Sequence, residues 1–197
     1  MTAKLLKMTF VLFLTIGALQ ANAQETRENK LKEWKDSIEA VQKTVRAKHR
    51  MTDSLTHAKA VNALLNQNFV LESDELTLKH GEHGYVNSAT NFIALHKGLA
   101  TIQVSPFYSG GGPNGVGGIT VEGRPSGLKV ETDKKGITRL SMNVSGSGVS
   151  AQIVVILNPT DNRATASILP NFNSLNVTLE GRLLPFGEST VFKGSSL

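Results

Sequence analysis

The chain has 197 residues, a formal charge of +5, 40% hydrophobic residues and no cysteine. Without cysteine there is no disulfide framework and no acceptor for a lipoprotein anchor, so stability must come from burial, for which the length is sufficient. The charge is uneven. Residues 24–60 carry nine Lys/Arg against six acids, whereas residues 61–197 carry ten of each, so the C-terminal part is neutral and lacks the basic, aromatic-studded face of a nucleic-acid binder.

The N-terminus carries Lys4 and Lys7, then the apolar run Met8 to Leu19, then Ala21-Asn22-Ala23. These are the three parts of a secretory signal peptide, with small side chains at Ala21 and Ala23 placing the cut before Gln24. Residues 1–23 are therefore expected to leave on export. The apolar run is shorter than the ~20 residues of a spanning helix, so no permanent membrane span is expected after cleavage.

Residues 24–66 read as a charged amphipathic helix. Leu31, Trp34, Ile38, Val41 and Val45 recur at three- and four-residue spacing, and Met51, Leu55, Ala58 and Val61 continue an apolar stripe with no Gly or Pro to interrupt it. A helix lying on its own domain is the simplest expectation. A short coiled coil or a membrane-surface helix is the alternative, and the mixed charge counts against the membrane.

After Asn68 the period becomes alternating, and residues 67–195 read as an antiparallel β domain. Candidate strands are 69–72, 75–79, 84–87, 91–95, 100–107, 118–124, 127–132, 137–145, 150–158, 163–168 and 174–183. Lys134-Lys135-Gly136, Gly146-Ser147-Gly148 and Asn158 to Asn162 supply turns. No helical pattern separates the strands, so parallel crossovers have nothing to run through. The expected fold is mainly β: an antiparallel β sandwich or barrel of about ten short strands, preceded by one amphipathic N-terminal helix. Ile153 to Leu157 is apolar at every position, which suggests a strand covered on both faces, with the helix as the second cover.

No motif specifies a reaction. The glycine-rich stretches at 110–115 and 146–151 match a dinucleotide fingerprint by letter, but strands rather than helix N-termini follow them, so no cofactor is expected. The long loop Ser105 to Gly118 remains a ligand or partner loop, with Phe107, Tyr108, Pro113 and Asn114 as its contact residues. His80 and His83 could share a metal ion with Glu82, Asp74 or His96 as a third ligand, although a polar hairpin turn has the same composition. Asp74 and Glu75, adjacent on a strand, are expected to point to opposite faces.

The run Gly112-Pro-Asn-Gly-Val-Gly-Gly-Ile-Thr-Val-Glu-Gly123 resembles an exported family of Gram-negative bacteria known as domain-of-unknown-function family 4251. Phe69 to Asp74, Asn91 to Ile93, Thr132 to Gly136, Met142 to Gly146, Pro170 to Ser174 and Ser189 to Gly194 carry the same resemblance. It implies a signal peptide, a charged helix and a β domain, located in the periplasm or on the cell surface, and it transfers no catalytic residue. The expectation is a non-catalytic binding protein whose partner is a small apolar ligand or another envelope protein. An envelope interaction module without a small ligand is the alternative, and a metal site at His80 and His83 a weaker one.

Overall fold

The computed structural model describes residues 2–105, 118–146, 149–171 and 176–194, with side chains from Arg27 onward except that of Val149. The chain divides into two compact units, Met1–Arg50 and Met51–Leu197. One helix, α1 (Thr2–Leu65), precedes the strands β1 (Phe69–Leu78), β2 (His83–Tyr85), β3 (Phe92–His96), β4 (Leu99–Val104), β5 (Ile119–Thr132), β6 (Thr138–Gly146), β7 (Val149–Leu157), β8 (Arg163–Pro170) and β9 (Val177–Pro185).

The helix stops where the apolar period changes. Gln67 adopts a left-handed φ of 54°. Its N–H donates to the Leu64 carbonyl (3.1 Å) and the Asn68 N–H to the Ala63 carbonyl (3.0 Å), which satisfies two carbonyls that the helix end would otherwise leave bare. The next residue, Phe69, opens β1.

Every strand pairing is antiparallel. Consecutive strands from β3 to β9 are neighbours, and β1 joins β3 on one edge and β9 on the other. Eight strands thus close into a barrel, with β2 added outside on β1. Closure removes the free sheet edges that a sandwich would leave. The β3–β4 hairpin is a two-residue turn in which Lys97 and Gly98 both have positive φ, as the twist of a tight hairpin requires.

Two bulges account for the strand count. Pairing of β1 with β9 shifts between Ser73 and Glu75, and pairing of β5 with β6 shifts between Ser126 and Lys129. Each pair of short segments apparent in the sequence, 69–72 with 75–79 and 118–124 with 127–132, is therefore one bulged strand. In β1 the extra residue resets the alternation, so Leu71 and Leu76, five apart, are both fully buried in the same core. Gly181 pairs with Ser73 at this bulge, and a Cβ there would collide with the Glu72 carbonyl.

Among the described residues the interior is mainly apolar, with the hydroxyl residues Thr138 and Ser73 also fully buried. Phe69, Leu71, Leu76, Ile93, Leu95, Leu140, Met142, Ile153, Leu157 and Leu179 are fully buried in one cluster, which Ala60, Ala63 and Leu64 of α1 also join. His57 Nδ1 donates to the Asp161 carbonyl in the β7–β8 connection (2.9 Å), so the last turns of the helix sit at the barrel end where β1 begins. This corrects the expectation for Ile153 to Leu157. Ile153, Val155 and Leu157 are buried while Val154 and Ile156 stay half-buried, so the ordinary alternation holds. Ala60, Ala63 and Leu64 of the helix end belong to the same inward cluster as Ile153, Val155 and Leu157.

The helix cap supplies a test. Gln67 is exposed and held at a φ that a side chain disfavours, so Gln67→Gly should raise stability by about 1 kcal/mol. Thermal unfolding measures it, and a lower midpoint in the variant would contradict the cap.

Candidate functional site

Among the described residues, two polar clusters on the outside of the barrel stand out. The first lies at the β1 bulge. Arg163, opening β8, donates from Nη1 to Asp74 Oδ2 (3.2 Å) and from Nη2 to Asp74 Oδ1 (3.1 Å), a two-pronged contact. Its Nη2 also lies 3.4 Å from Glu75 Oε1 and 3.5 Å from Glu180 Oε1. The bulge therefore turns Asp74 and Glu75 towards one guanidinium, which corrects the expectation that they face opposite ways. The hydrogen bonds to Asp74 raise the Arg163 pKa above its ordinary value, partial burial opposes this, and the charges of Asp74, Glu180 and Glu75 add to the rise. While its carboxylate partners are ionised, a raised cation contributes stability below the arginine range and loses it only above, so Arg163 itself is no pH switch in the physiological window.

The second place is a clasp on the C-terminal segment. Gln103 points outward from β4, yet it is fully buried beneath residues 186–194. Its Nε2 donates to the carbonyls of Thr90 (3.1 Å) and Phe192 (2.9 Å), and its Oε1 accepts from Thr120 Oγ1 (2.9 Å) and the Gly194 N–H (2.7 Å). Both donors and both acceptor sites of the amide are used. Around it, Glu72 Oε1 accepts from Ser189 Oγ (2.6 Å), Lys193 pairs with Glu122 (2.9 Å), and Phe186 and Val191 pack on the outward Val70, Phe92 and Ala94. Sequence reading missed this clasp. No local signal marks it, because Thr101 and Gln103 alternate with Ala100, Ile102 and Val104 as the outward face of any strand would.

The histidines do not assemble. His83 Nδ1 contacts Thr77 Oγ1 (2.9 Å) and its Nε2 lies 3.6 Å from Glu75 Oε2, while His80 sits in the exposed β1–β2 turn. The other donors are engaged elsewhere: Asp74 with Arg163, and His96 with Asn68 Oδ1 (2.7 Å) and stacked on Phe186. Among the described residues no three His, Asp or Glu side chains converge on a metal-sized site. Phe107, Tyr108, Pro113 and Asn114 of the β4–β5 connection lie outside the described residues. Ala21, Ala23 and Gln24 fall within the helical backbone of α1, and their side chains lie outside the described residues as well.

The remaining feature is the stripe on α1. Leu31, Trp34, Val41 and Val45 are exposed, Trp34 by 63%, and Ile38 is partly so. These residues form a row of large apolar side chains open to water on one helix face. Among the described residues, no helix is long and apolar enough to cross a membrane.

These features define a closed antiparallel β-barrel with a packed apolar core, preceded in the chain by a long charged helix. The family model of a domain of unknown function, DUF4251, matches residues 51–183. A crystal structure of a DUF4251 family protein from Bacteroides eggerthii is similar at 43% identity and a TM-score of 0.64, covering 75% of this chain and 99% of that one. No curated protein matches. The chain belongs to the DUF4251 family.

Replacing the clasp amide tests its role. Gln103→Leu leaves the Phe192 carbonyl and the Gly194 N–H without their buried partner, and should destabilise the protein by about 2 kcal/mol. Limited proteolysis read by mass should then remove residues after Pro185 first. Unchanged resistance of that segment would show that the clasp does not hold it.

Proposed function

We propose that this protein is exported to the periplasm or cell surface and acts there without catalysis, as an interaction module that engages protein. The barrel is its scaffold and the 24–66 helix carries its contact surface. The observation that carries this reading is the filling of the barrel. A lumen able to hold an apolar ligand would leave its walls accessible to a water-sized sphere. Instead, Phe69, Leu71, Ile93, Leu95, Leu140, Ile153 and Leu157 have no accessible area, and three helix residues join the same core. The small apolar ligand expected from the sequence thus finds no room among these side chains.

Export rests on the ordered charged, apolar and small-residue parts of residues 1–23 and on the absence of any lipid-acceptor cysteine. The stripe from Leu31 to Val45 lies beyond that segment, so cleavage before Gln24 would leave the contact surface intact.

Native mass spectrometry of the protein purified from its own envelope tests both halves. The expected species begins at Gln24 and carries no small molecule. A chain beginning at Met1 would overturn export. A stoichiometric apolar adduct would overturn the scaffold reading and restore the ligand-binding one.

A further inference from the structure

The apolar stripe has the spacing of a coiled-coil seam. Leu31, Ile38 and Val45 occupy one heptad position and Trp34 and Val41 the other, with Lys48 next in the series. We infer that the occupant of this stripe is a second copy of the same chain, packed as an antiparallel helix pair; this deepens the interaction reading above and rests on it.

Charge selects the arrangement. In a parallel, in-register pair the residues flanking the seam would set Lys30 of one copy against Lys35 of the other, and Lys48 would meet its own counterpart. One antiparallel register, with Leu31 opposite Val41, brings Lys35 against Lys35. The register that places Trp34 opposite Val45 and Ile38 opposite Val41 has no such clash. Its flanking pairs are Glu28 with His49, Lys35 with Gln42, Ser37 with Thr44 and Lys30 with Met51. It also sets the largest seam residue, Trp34, against the small Val45, and puts Lys48 at the ends, where its aliphatic stem can cover Leu31 while its ammonium group stays in water.

The helix needs no separate nucleation, because Ala60, Ala63 and Leu64 already fix its C-terminal turns in the barrel core. The seam is short, about 22 Å over fifteen residues, and belongs with small, reversible interfaces. The expected dissociation constant is on the order of 10 μM.

Trp34 is the only tryptophan, so its emission reports directly on the seam. Sedimentation velocity and fluorescence of the protein exported and purified from the envelope should show a monomer–dimer equilibrium and a blue shift of Trp34 emission with concentration. Ile38→Asp should abolish both without altering the unfolding midpoint of the barrel. Orientation is read by cysteine pairing in a chain that has none of its own. With Leu31→Cys and Lys48→Cys together, oxidation should give a covalent dimer, since residue 31 faces residue 48 of the second copy. Leu31→Cys alone should give little, its two copies lying about 25 Å apart. Ready crosslinking of the Leu31→Cys variant would overturn the antiparallel arrangement. A monomer with unshifted emission up to about 1 mM, a hundred times the expected dissociation constant, would overturn self-association altogether. Neither result touches the scaffold reading, which fails only on a bound small molecule.

Discussion

The structure depends on β1 using both of its edges. Along one edge it pairs with β9 over nearly its whole length, and along the other it pairs first with β3 and then with β2. A strand shared in this way turns an open sheet into a barrel, but it has to change direction part-way along. The bulge after Ser73 provides that change. Ser73 is fully buried and its Oγ reaches the carbonyls of Glu75 (2.6 Å) and Glu180 (3.1 Å), so the polar groups exposed by the irregularity are satisfied internally. Arg163 then gathers Asp74, Glu75 and Glu180 over the same spot. Bulge, guanidinium contact and the missing side chain at Gly181 are parts of one solution to closing the ring.

Closure explains why the protein is built as a solid object. Eight strands give an interior about wide enough for side chains to fill, and here they are Phe, Leu, Ile, Val, Met and Ala, sealed at one end by the helix. The outer wall formed by β1, β3 and β4 is then covered by residues 186–194, clasped through Gln103. With interior and wall occupied by the protein itself, the large apolar surface left open to water among the described residues is concentrated on α1. That distribution is what the proposed interaction reading rests on.

Much of this architecture is legible in the residues. The change of period at Asn68 marks the helix end to within a residue of the strand it feeds, and the lack of helical pattern between strands gives the antiparallel class. The candidate strand at 174–183 corresponds to β9, where Leu179 is buried and its neighbours Thr178 and Glu180 are not. What stays hidden depends on contacts far apart in the chain. A bulge looks like two strands because its extra residue breaks the alternation, and only the β9 partner shows that the strand continues. The fate of Asp74 and Glu75 follows from that bulge and from Arg163, 88 or 89 residues away. Gln103 reads as an ordinary surface residue of a strand until the C-terminal segment folds over it. Choosing between sandwich and barrel likewise required the pairing of the first strand with the last.

The central claim is that the barrel is closed and filled, and xenon tests it most directly. Xenon under pressure enters apolar cavities in protein crystals that water leaves empty. A crystal of this protein so treated should show no xenon inside the barrel, because Phe69, Leu140, Ile153 and Leu157 leave no space between them. A xenon atom bound among those residues would reveal an apolar lumen and contradict the account.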